Sequence, residues 1–142
     1  MTIGRLIEGR SGPIISIDVA ATVREAVALL AEKRIGALPV LKDGAIAGIF
    51  SERDVVYRLA AVGPAMLDGP VGDVMTAPAI TVDPATEVLE ALGLMTRRRI
   101  RHLPVVRDGA MIGFVSIGDL VKYRIERIES EAEAMRSYIQ SA

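Results

Sequence analysis

From Ile14 onward, short apolar runs alternate with a helical apolar stripe, and the order then recurs. Ile14–Ile17 is apolar and β-branched after Pro13, which predicts a strand. Val23, Ala26, Val27 and Leu30 fall at i, i+3, i+4 and i+7, so Thr22–Arg34 is predicted as an amphipathic helix. Leu38–Leu41 and Ala45–Phe50 are two further apolar runs joined through Lys42-Asp43-Gly44. Asp-Gly supplies the positive φ angles of a tight hairpin turn. Ser51 then opens a second helix, predicted to reach about Val62 before Gly63-Pro64.

The second half repeats this order. Ala79–Val82 predicts a strand, Val88, Ala91, Leu92 and Met95 a helix, and Leu103–Val106 with Ala110–Val115 a hairpin around Asp108-Gly109. Ser116 opens the closing helix. Ser16–Val56 aligns without a gap on Thr81–Val121, an offset of 65 positions (116 − 51). The matched pairs include Arg34/Arg99, Ile35/Ile100, Leu38/Leu103, Pro39/Pro104, Gly48/Gly113, Ser51/Ser116 and Asp54/Asp119. One strand–helix–strand–strand–helix unit has been duplicated, and each copy is expected to bury its apolar face on the other. The fold class is therefore α+β, two βαββα repeats related by a pseudo-two-fold. Any ligand site at the junction should come as a related pair.

The echo extends upstream at a slightly different offset, Ile3-Gly4-Arg5-Leu6-Ile7 answering Val71-Gly72-Asp73-Val74-Met75. The expected organisation is a first repeat over 1–62, a proline- and glycine-bearing linker over 63–70, a second repeat over 71–123 and a helical extension over 124–142. In that extension Val121, Ile125, Ile128, Ala132, Met135 and Ile139 keep a 4-3-4-3-4 spacing. This heptad stripe fits a homodimer seam, the alternative being a helix packed on its own domain.

Composition narrows the chemistry. At 142 residues and 15.2 kDa the chain is one body with room for a core. The formal net charge of −1 argues against a nucleic-acid partner. With no cysteine, disulfides, thiolate catalysis and Cys-based zinc sites are excluded, and His102 is the single histidine. No run reaches membrane-spanning length, and charged Met1–Gly12 does not resemble a signal peptide, so a cytoplasmic location is expected.

Two features carry candidate chemistry. Ser51-Glu52-Arg53-Asp54 and Ser116-Ile117-Gly118-Asp119 each open a helix three residues after a glycine. Ser-x-x-Asp there reads as a capping box. It reads equally as a ligand site, because a helix N-terminus suits an anion and an aspartate in the first turn can accept both hydroxyls of a ribose. The second feature is Arg97-Arg98-Arg99-Ile100-Arg101-His102. Arg97–Arg99 complement a helix C-terminus, whereas Arg101 and His102 fall where the next strand begins. The first copy has Gly36 and Ala37 at those positions, so anion-binding capacity is lopsided. No Gly-x-Ser-x-Gly elbow, phosphate loop or Gly-x-Gly-x-x-Gly is present, which leaves binding without bond-making as the expectation.

These motifs resemble the tandem CBS-domain family, the Bateman module of small stand-alone bacterial proteins. The resemblance rests on Leu-Pro-Val at 38–40 and 103–105, the two Asp-Gly hairpins, Gly-x-x-Ser-x-x-Asp at 48–54 and 113–119, and Val-x-x-Val-Met at 71–75. It implies two clefts between the copies, each for an adenosine-containing ligand such as AMP, ADP, ATP or NAD. It further implies that Asp54 and Asp119 hold ribose, with Ser51 and Ser116 beside them. Ile80, Ile100 and Pro104 would sandwich adenine in the Asp54 cleft. Ile15, Ile35 and Pro39, with Thr2 or Ile7, would do so in the other. Arg101 and His102 would meet phosphate, whereas Gly36 and Ala37 at the matching position weaken the phosphate contact. The function implied is a nucleotide sensor acting on an unidentified regulated protein. The alternatives are a dimerisation scaffold with vestigial clefts and, behind it, a nucleotide hydrolase.

Overall fold

The computed structural model describes residues 1–10 and 12–141; Ser11 and Ala142, the last position of the expected helical extension, lie outside the described residues. The order is α1 (Ile3–Glu8), β1 (Ile17–Asp18), α2 (Val23–Lys33), β2 (Ala37–Lys42), β3 (Ala45–Ser51), α3 (Glu52–Val62), α4 (Val88–Arg98), β4 (His102–Arg107), β5 (Ala110–Ser116) and α5 (Ile117–Ser141). Thr22 caps α2 through a full capping box with Glu25, and Arg34 closes it in the left-handed conformation. Arg99 closes α4 in the same way. Both hairpins turn through Asp-Gly with positive φ, at Asp43 and Gly44 and again at Asp108 and Gly109. β2 pairs antiparallel with β3, β4 with β5, and each hairpin carries one register shift at the same place.

Two expected strands are shorter than their apolar runs. Instead of Ile14–Ile17, β1 covers Ile17–Asp18, pairing parallel with Val40 and Leu41. Instead of Ala79–Val82, only Val82 bridges β4, donating to the Pro104 carbonyl and accepting from the Val106 amide. In both places the leading residues of the run, Ile14 and Ile15 or Ala79 and Ile80, line a cleft and leave the ladder. The stretch 63–70 is also more ordered than a linker composition suggests. Pro64–Asp68 form a 3-10 turn, and Met66 is buried.

Each copy has its own core. Val23, Ala26, Leu30, Leu38, Val40, Phe50 and Met66 form the first, joined by Val71. Val82, Val88, Ala91, Met95, Leu103, Val105, Val115 and Leu120 form the second, joined by Ile3. The upstream segments have thus crossed over: Ile3 packs in the second core and Val71 in the first. The backbone bonds match across the duplication. Ile3 donates to the Thr86 carbonyl at 2.8 Å and Gly4 to Pro84 at 2.9 Å, while Val71 donates to Ala21 at 2.7 Å and Gly72 to Val19 at 3.0 Å. Among the described residues no polar or charged side chain is buried.

Candidate functional site

The serine motifs stand where the second strand of each hairpin hands over to a helix. The Glu52 amide donates to the Gly36 carbonyl at 3.1 Å, and the Ile117 amide to the Arg101 carbonyl at 2.8 Å. Each helix start is therefore pinned beside the residues that precede Leu-Pro-Val. Two clefts open there, on either side of His102.

The first cleft has a volume of about 570 Å³ and contains Ser51, Asp54, Ile80, Ile100, Arg101 and His102. That size suits a small-molecule ligand. Asp54 Oδ2 accepts from the Ser51 amide at 2.8 Å and from the Ser51 hydroxyl at 3.2 Å. Asp54 Oδ1 accepts from the Thr76 hydroxyl at 2.9 Å. Thr76 arrives because Gly48 lets it. A Cβ on Gly48 would lie 2.7 Å from both Met75 Sδ and the Thr76 carbonyl oxygen. With no side chain there, Thr76 bridges Ile49 through two backbone bonds of 2.8 and 2.9 Å and presents its hydroxyl to Asp54. The glycine three residues before the serine thus has a packing cause, close approach of a second backbone.

The second cleft has a volume of about 540 Å³ and contains Ile7, Arg10, Ile15, Ile35, Ala37, His102, Ser116 and Asp119. Here too Ser-x-x-Asp forms a capping box: the Ser116 amide donates to Asp119 Oδ2 at 2.7 Å and the Asp119 amide to the Ser116 hydroxyl at 3.1 Å. Asp119 has a further partner that Asp54 lacks. Arg10 reaches it from beyond α1, with Nη2 2.8 Å from Oδ2, and its Nη1 donates to the Phe114 carbonyl at 2.9 Å. Burial works to raise the Asp119 pKa. The Ser116 amide, the Arg10 guanidinium and the Ser116 hydroxyl outweigh it and hold the carboxyl below its ordinary value.

His102 borders both clefts, and so does Gly36. Its ring stacks on Phe114. Burial lowers the His102 pKa and Arg101 lowers it further, against the opposing pull of Asp119 and Glu52.

Three of the candidates line neither cleft. Pro39 and Pro104 are buried in β2 and β4. Thr2 caps α1 and bridges Glu87. Thr76, Arg10, Glu52, Arg53 and Tyr57 line a cleft without having been singled out from the sequence. Thr76 was within reach, since it directly follows the Val-x-x-Val-Met echo. Arg10 carries no such signal, because it lies where the two copies differ in length. Among the described residues no cluster of His, Asp or Glu is arranged to hold a metal.

Two such repeats, each with Gly-x-x-Ser-x-x-Asp at the mouth of a cleft, define a tandem CBS-domain pair. The chain belongs to this family: the CBS domain model matches residues 10–61 and 71–126. It is 44% identical over 124 residues to the CBS domain-containing protein CBSX3, mitochondrial, of Arabidopsis thaliana, an alignment covering 84% of this chain and 60% of that protein. The chain thus spans about three fifths of that relative's length. Among solved structures it resembles a putative signal-transduction protein with CBS domains from Burkholderia ambifaria, with TM-score 0.83 and 36% identity over 89% of this chain and 95% of the other. It also resembles CBSX2 in complex with AMP, with TM-score 0.72 and 27% identity over 88% and 96% of the two chains.

Proposed function

We propose that the chain is an adenine-nucleotide sensor without catalytic activity. It takes AMP, ADP, ATP or NAD into one or both clefts and changes the conformation of a homodimer or of a regulated partner. The observation that carries this reading is the pair of half-exposed carboxylates, Asp54 and Asp119, each in the first turn of a helix and facing apolar residues of the other copy. Those residues are Ile80 and Ile100 in one cleft and Ile15 and Ile35 in the other. A carboxylate free to accept from a diol, beside apolar walls for a base, suits a nucleoside. The AMP held by CBSX2 at the same fold supports it. No described helix is long and apolar enough to cross a membrane, and we read the chain as cytoplasmic.

The mechanism is population shift. A nucleotide that binds one arrangement of the two copies better than another stabilises that arrangement. Arg101 and His102 add charge-assisted bonds to a phosphate tail in the Asp54 cleft, so AMP should outbind adenosine there. The test is a thermal-shift panel of adenosine, AMP, ADP, ATP, NAD and S-adenosylmethionine. A ligand at a hundred times its dissociation constant stabilises by about 2.7 kcal/mol. Asp54→Ala should remove part of the shift while the unliganded melt stays cooperative. A panel with no shift for any adenosine compound would leave a dimerisation scaffold as the reading.

A further inference from the structure

The two carboxylates are held by chemically different partners. Asp54 accepts from neutral donors, the Ser51 amide and hydroxyl and the Thr76 hydroxyl. Asp119 accepts from the Ser116 amide and is also paired with a cation, Arg10. The guanidinium is fixed from two sides, by Asp119 Oδ2 and by the Phe114 carbonyl. A guanidinium has five N–H donors, and these are its two polar contacts among the described residues. The remaining donors belong to a side chain that lines the Asp119 cleft.

Arg34, which closes α2, and His102 also border that cleft, but Arg10 is the basic side chain paired with Asp119. At the positions where the second copy brings Arg101 and His102, the first copy brings Gly36 and Ala37. We infer that Arg10 supplies the missing phosphate contact and makes the Asp119 cleft selective for a phosphorylated nucleoside over a neutral one. The inference rests on the proposed function and deepens it. A neutral nucleoside meets an aspartate whose charge is already matched by Arg10 and gains nothing from the guanidinium. A phosphate gives the guanidinium a second anion, and its planar fork binds phosphate through parallel charge-assisted bonds. Asp119 on one side and phosphate on the other then share a single cation. The segment that carries Arg10 follows α1, whose Ile3 is anchored in the second core, so the cation comes from outside both Leu-Pro-Val strands.

The test is titration calorimetry of the Asp54→Ala chain, in which the Asp119 cleft is read alone. AMP, adenosine and inorganic phosphate are titrated before and after Arg10→Ala or Arg10→Gln. AMP should bind the Asp54→Ala chain more tightly than adenosine, and inorganic phosphate alone should bind far more weakly than AMP. Either Arg10 substitution should cut the AMP-to-adenosine preference by about tenfold or more, through lost AMP affinity. An unchanged preference would overturn the assignment, as would tighter AMP binding, which would mark Arg10 as a plug. Phosphate binding as tight as AMP would overturn it too, by making the site a bare anion pocket. Failure of every adenosine compound to bind the parent chain would instead sink the proposed function, and this inference with it.

Discussion

His102 lies flat over Phe114, with ring centroids 5.6 Å apart and planes 11° from parallel. The stack holds the imidazole at the boundary of both clefts, where the charges of Asp119, Arg101 and Glu52 act on it. Burial is the main reason its pKa falls below 6.5, so the folded chain favours the neutral ring. The native state then binds fewer protons than the unfolded one. Stability is complete above pH 6.5 and declines as pH falls through the window beneath it. Thermal melts from pH 7.5 down to 5.5 should show a smaller loss for His102→Asn than for the parent. Equal losses would place the titration elsewhere.

The Asp119 carboxyl behaves in the opposite chemical sense with the same sign in pH. Its folded pKa lies below the ordinary 3.8. The stability it contributes is present above that value and is lost as pH falls from there through the folded value. Asp119 and Arg10 are 37% and 39% exposed, so water and salt screen the pair. Arg10→Ala should move the acid-unfolding midpoint to slightly higher pH, at a cost of about 1 kcal/mol or less. The difference should shrink at about 0.5 M salt, where the Debye length is only a few ångströms. Acid titrations followed by circular dichroism at two salt concentrations would check both statements.

Gly48 and Gly113 occupy matched places, but their neighbours differ. A methyl on Gly48 would strike the Thr76 carbonyl oxygen at 2.7 Å, a backbone atom held in a bridge. A methyl on Gly113 would strike the end of the Ile7 side chain at 2.9 Å. Backbone yields less readily than a flexible side chain. Gly48→Ala should therefore destabilise by about 1–3 kcal/mol, and Gly113→Ala by less. Gly48→Ala should also weaken ligand binding at Asp54 by pushing Thr76 away. Urea unfolding and a nucleotide titration of the same variant would separate the two effects.

Along α5, Ile125 is 50% exposed, Ile128 48% and Tyr138 73%, with Met135 and Ile139 also open to solvent. On a helix otherwise carrying Glu126, Arg127, Glu129, Glu131 and Glu133, this stripe fits a second copy of the chain. Ile125→Glu or Ile128→Glu should lower the mass measured by light scattering while leaving the melt cooperative. An unchanged mass would move any dimer contact off this helix.

The duplication was legible because identical residues recur at a constant offset, and with it both hairpins, helices α2 to α5 and the paired Ser-x-x-Asp openings, whereas the short α1 was not read. Asp-Gly turns and helix caps are local chemistry, so their positions could be read from neighbours in the chain. What stayed hidden depends on contacts between distant segments. Ile14–Ile17 and Ala79–Val82 have strand composition, yet their first residues face a cleft, because only Ile17 and Val82 meet a partner strand. Pro39 and Pro104 belong to the motif that identified the family, yet they are buried in β2 and β4 and line neither cleft. Arg10 pairs with a residue more than a hundred positions away, and no periodicity in its own neighbourhood points there.

The crossed placement of Ile3 and Val71 has a consequence for how the molecule can be divided. Cutting between Val62 and Gly63 would strand Ile3 without its host and leave the earlier hydrophobic nucleus missing Met66 and Val71. Neither half keeps its interior whole when severed there, so the two repeats are expected to unfold together and not one at a time.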